Sequence, residues 1–153
     1  MIAAGAGPSS FAVRAQATGN GWVDQLLDGR PSANGKPTRV SSVYCCPDIR
    51  CCARYAESDL PPTYRLYEVL PRGRVHVAPM ILVNRIARRK APDGIAEEIA
   101  DEYWICRHPW RYLELLADSL EVVREVARPD SMSVLFGDAC MQDDLDRAVR
   151  LRW

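Results

Sequence analysis

A chain of 153 residues that is 48% hydrophobic and 26% charged can bury a core without disulfide or metal staples, so a single domain over 1–153 is expected. Twenty basic and twenty acidic residues cancel to zero formal charge, which excludes a protein held on nucleic acid mainly by an overall basic surface but leaves room for a local basic groove. No apolar run reaches membrane-spanning length, and the start shows no charged n-region followed by an apolar h-region, so the expected location is cytoplasmic, with no membrane partner.

In chain order, residues 1–10 are small and are expected to be flexible, and Phe11 to Gln16 reads as a first strand. Trp22, Val23, Leu26 and Leu27 fall at helical spacing, with Gly29 as the stop. Gly29 to Pro37 holds the densest Gly/Pro/Ser/Asn cluster and predicts a mobile loop. Arg39 to Cys45 reads as a strand. Pro47 and Asp48 suit the first turn of a helix that carries Ile49, Cys52, Ala53, Ala56 and Leu60 on one face and stops at Pro61-Pro62.

Thr63 to Leu70 and Arg74 to Val77 predict two strands joined by a turn at Pro71 and Gly73. Ile95, Ile99 and Tyr103 mark a helix over Pro92 to Trp104. Trp110 to Ala127 admits two readings. Its apolar residues recur every three to four positions, as in an amphipathic helix; alternatively, Asp118-Ser119 is a turn between strands Tyr112–Leu116 and Leu120–Val126. Met132 to Phe136 reads as a short strand closed by Gly137, with Asp138 capping a final helix through Met141, Leu145 and Val149.

The six cysteines read as thiols, given no secretion signal. Cys45-Cys46 and Cys51-Cys52 are adjacent pairs, unlike the two-to-four-residue spacing of zinc knuckles, and no metal is assigned to them. His76 and His108 have no sequence-local partner that would make a catalytic or metal pattern, so structural roles are expected for both.

Taken together, several segments carry a family resemblance. Pro37-Thr38-Arg39-Val40-Ser41-Ser42-Val43-Tyr44 leads into a helix with Ala53-Arg54-Tyr55-Ala56, so ten residues separate Tyr44 from Tyr55. Tyr64-Arg65-Leu66-Tyr67-Glu68-Val69 follows, then Tyr103-Trp104, a short loop and Leu113-Glu114-Leu115-Leu116. This order resembles the ADP-ribosyltransferase superfamily, specifically the small bacterial and phage branch that includes rifampin- and DNA-directed enzymes, with the tyrosine spacing of the diphtheria-toxin-like class.

The resemblance implies an α+β fold with a split mixed β-sheet core and flanking helices. It implies NAD as substrate, with Tyr44 and Tyr55 flanking nicotinamide, Arg39 or Ser41 nearby and Glu114 catalytic. The family's first strand usually offers a His or Arg; no His precedes His76, which leaves Arg14 for that place. The chemistry suits these residue types. Cleaving the nicotinamide–ribose bond develops a cationic sugar that a fixed carboxylate stabilises, while aromatic faces stack on the ring. The implied activity is mono-ADP-ribosylation of a macromolecule, protein or nucleic acid, by a toxin or phage effector. The alternative is a non-catalytic module of the same fold that recognises a protein or nucleic-acid partner, as the missing histidine would allow.

Overall fold

The structure, a computed structural model, describes residues 2–3, 21–59, 63–128 and 131–153. The strands are β1 (Ile2–Ala3), β2 (Val43–Cys45), β3 (Leu66–Pro79) and β4 (Leu113–Val126). The helices are α1 (Gly21–Asp28), α2 (Ile49–Asp59), α3 (Met80–Ala87), α4 (Gly94–Ile105) and α5 (Ser131–Arg150). The class is α+β. Among the described residues every strand pairing is antiparallel, in the order β1-β3-β4-β2, so the mixed sheet expected from the resemblance is not what these residues form. The expected strand Phe11 to Gln16 lies outside the described residues, as does Arg14.

β3 and β4 pair along their whole lengths, from Leu66 opposite Val126 to Pro79 opposite Leu113. The turn expected at Pro71 and Gly73 is instead a β-bulge within one continuous strand. Gly73 takes φ +77°, a left-handed value that glycine adopts freely. The Asp118 carboxylate accepts from the Arg74 amide at 2.8 Å and from its guanidinium, which holds the two strands together across the irregularity.

β4 answers the ambiguity over Trp110 to Ala127 with neither reading: Leu113–Val126 is one strand, not a helix and not two strands with a turn at Asp118-Ser119. Leu115–Ala117 is hydrogen-bonded between β2 and β3, and cross-strand pairing of this kind overrides a helical spacing of leucines. The strand expected over Arg39 to Cys45 shrinks to Val43–Cys45. Arg39 to Ser41 turn instead, with the Ser42 amide bonded to the Thr38 carbonyl at 3.0 Å.

α1 forms where its periodicity predicts, and α4 begins two residues after Pro92, capped by Asp93, whose side chain accepts from the Ala96 amide at 2.7 Å. α3 was not anticipated, although Ile81, Leu82 and Ile86 are buried along it. α5 replaces the strand expected over Met132 to Phe136, and Gly137 lies inside the helix rather than ending a strand. There α5 crosses α2 closely enough that a Cβ on Gly137 would stand 2.7 Å from the Arg50 carbonyl oxygen.

The segment Gly29 to Pro37 contains a short 3-10 turn at Pro31–Ala33 and is tied to α4. Arg30 and Ser32 both bond Asp101, and Lys36 donates to the Trp104 carbonyl. One core cluster joins α1, α3, α4 and the end of α5 through Leu27, Leu82, Ile86, Ile99, Trp104 and Ala148, against Leu116 of the sheet. A second gathers Cys46, Cys51, Cys52 and Cys140 with Leu66 and Tyr112 between α2, α5 and the sheet, where the thiols pack as small apolar groups. No helix among the described residues is long and apolar enough to cross a membrane.

Candidate functional site

β2 and β4 place the key side chains. Tyr44 lies opposite Leu116, and Glu114 sits two residues before Leu116, so Tyr44 and Glu114 project from the same face as diagonal neighbours. On the other side of β4, His76 pairs with Leu116 and Ala78 with Glu114, which brings His76 onto that face as well.

Arg39 is the hub. Its turn carries the side chain inward until only 1% of the residue is exposed. The Nη1 group donates to Glu114 Oε1 at 2.5 Å and to the Tyr103 hydroxyl, and Nε donates to Asp24 at 2.9 Å. The guanidinium lies over the rings of Tyr44 and Tyr103, at 5.2 and 5.1 Å from their centroids. Tyr44 closes the turn by donating its hydroxyl to the Arg39 carbonyl. The backbone is anchored too, because the Arg39 amide donates to Asp28 at 2.8 Å.

Burial opposes the Arg39 charge, but Glu114 and the groups around it more than offset that and hold the guanidinium protonated well above its ordinary range. Burial pushes the hydroxyls of Tyr44 and Tyr103 upward, so both stay neutral donors. Tyr103 accepts from Arg39 and donates to Glu114 Oε1 at 2.7 Å, linking the two charges. Both hydrogen bonds to Glu114 fall on Oε1; among the described residues Oε2 takes neither. Glu114 is 3% exposed.

Of the residues singled out from the sequence, Arg39, Tyr44 and Glu114 are brought into one group. Ser41 is exposed, its hydroxyl 2.6 Å from that of Thr38. Tyr55 is half-buried on α2, whose cysteines pack into the second cluster, whereas Tyr44 packs against the first.

Asp24, Tyr103 and His76 join the group without having been singled out for it. Tyr103 appeared only as part of the helix-loop-strand leading to Glu114, and Asp24 lies on the helix predicted over Trp22 to Leu27 without a signal of its own. His76 appeared as a lone histidine; its ring stands 5.1 Å from Trp104 and burial lowers its pKa. Among the described residues no group of three or more His, Cys, Asp or Glu is arranged to hold a metal ion. Comparison with protein-family models, curated proteins and solved structures finds no match to this chain.

Proposed function

We propose that this chain is an NAD-dependent mono-ADP-ribosyltransferase in which Glu114 is the catalytic carboxylate and Arg39 and Tyr44 form the wall of the NAD site. The observation that supports this most is the convergence of Arg39, Tyr44 and Glu114 on one face of the sheet. Arg39 and Tyr103 fix Glu114 through a single oxygen, which leaves Oε2 to take a ribose hydroxyl and to stabilise a developing cationic sugar. The acceptor is a macromolecule, with a toxin or phage effector as the setting.

Incubation of the full chain with labelled NAD and candidate acceptors tests the reading. NAD cleavage or transfer is expected, with Glu114→Gln lowering it by roughly 10²-fold or more. Absence of NAD binding, cleavage and transfer, or normal turnover by the Gln variant, rejects it. A second reading, a non-catalytic partner-binding module, is favoured by the enclosure of Glu114, whose side chain is only 4% exposed. Calorimetry separates the two, since the module gives no heat with NAD.

A further inference from the structure

A surface pocket of about 300 Å³ lies away from the Arg39 group in chain terms, at the carboxyl end of α3, and is lined by Arg85, Arg88, Arg89 and Trp153. The three arginines are spaced by three and four residues, which sets Arg85 beside both of the others. Among the described side chains a single carboxylate, Asp93, pairs with this set, through Arg89 at 2.6 Å. Arg85 donates one Nη to the main-chain oxygen of Trp153, while its Nε is buried with no hydrogen-bond partner. An orphaned buried donor of this kind destabilises the native state.

Trp153, the remaining lining residue, is anchored by its neighbours. The Trp153 indole stacks on Trp110 at 6.2 Å and meets His108 edge-on at 5.9 Å, and its amide bonds the Ala148 carbonyl at 3.0 Å. Cations at a helix end complement its dipole, but that effect requires neither their convergence on a cavity nor a desolvated Nε. Nor do the last carbonyls of α3 face an incoming anion bare, because the amides of Arg88 and Arg89 bond to Asn84 and Ile86.

We propose that this pocket binds a phosphoryl group. The planar guanidinium fork matches phosphate oxygens two at a time, and Arg88, exposed beside Arg85 in the lining and paired with no carboxylate among the described residues, offers such a fork. The carrier is either a small phosphate ester or anhydride, or the backbone of a single-stranded nucleic acid stacked against the tryptophan wall.

The test uses the full chain with three probes: inorganic pyrophosphate, a labelled single-stranded oligonucleotide, and polyglutamate of matched charge. Saturable pyrophosphate or oligonucleotide binding is expected, weakened about tenfold in Arg88→Gln, the effect of one lost charge-assisted hydrogen bond. Arg85→Gln should do the same. Tighter oligonucleotide binding, with a salt slope reduced by about one in Arg88→Gln, identifies nucleic acid as the carrier. Pyrophosphate binding without oligonucleotide binding identifies a small phosphate. The proposal is overturned by no saturable binding of either probe, by affinities unchanged in both variants, or by polyglutamate binding equally well. Glu114→Gln leaves the pocket residues untouched, so this result is independent of the transferase reading.

Discussion

Glu114 on β4 and Glu102 on α4 are both buried carboxylates, yet they are assembled in opposite ways. Glu102, fully buried, gathers donors from the eight residues that follow it: the His108 amide and Nδ1, each at 2.9 Å, the Trp110 indole at 2.8 Å, and the exposed Arg107. Glu114 draws on Tyr103, eleven residues away, and on a buried cation 75 residues away. The first is a local cap. It closes the exit from α4, where Cys106 adopts the left-handed φ of 55° and its amide bonds the Glu102 carbonyl. The second is a charge pair drawn together by three elements, and it exists only once the fold is complete.

The contrast can be broken most strongly at Glu114. Glu114→Leu leaves Arg39 buried without its main counter-charge and is expected to destabilise the fold by about 3–5 kcal/mol, measured by denaturant unfolding. Glu102→Leu strands three neutral donors, two of them on the part-exposed His108, and no buried cation, so a smaller loss of about 2–3 kcal/mol is expected by the same method. Equal losses would show that Arg39 finds compensation elsewhere.

A pH titration sharpens the same difference. Burial raises the Glu102 pKa, but the Trp110 and His108 donors outweigh it and hold the net value below the usual 4.5. A depressed carboxylate pKa contributes stability above the unfolded value that is lost as pH falls through the folded one. Wild-type melting temperature should therefore drop below about pH 4.5 more steeply than that of Glu102→Leu. His76 adds to the acid loss from a higher pH: its pKa is lowered from 6.5, so protonation favours the unfolded chain below that value.

Smaller effects follow. Tyr103→Phe removes the hydroxyl between Arg39 and Glu114 and should cost about 1–2 kcal/mol in unfolding free energy. Arg107→Ala, which removes a side chain that is 61% exposed, should change stability by less than about 0.5 kcal/mol, because solvent screens its pairing with Glu102.

Much of this architecture is legible in the residues themselves. The helical spacing of Trp22 to Leu27 and of Ile95 to Tyr103 defines α1 and α4 through local geometry, while the Asp93 cap of α4 came only with the structure. A shared ordering of Arg39, Tyr44 and Glu114 was also visible. By contrast, the leucines of β4 and the Met132 to Phe136 segment carry local signals that point the wrong way. Leu113–Val126 is a strand because β2 and β3 pair with it, and Ser131–Arg150 is one helix because Gly137 lets it lie against α2.

The sequence by itself determined which helices could nucleate and which residue types were available for a charged, aromatic site, since both depend on neighbours a few positions apart. Only the tertiary structure decided that Arg39 would be buried between Asp24, Tyr103 and Glu114. A guanidinium's worth as a ligand or a brace depends on which carboxylates surround it out of water, and chain spacing does not record that.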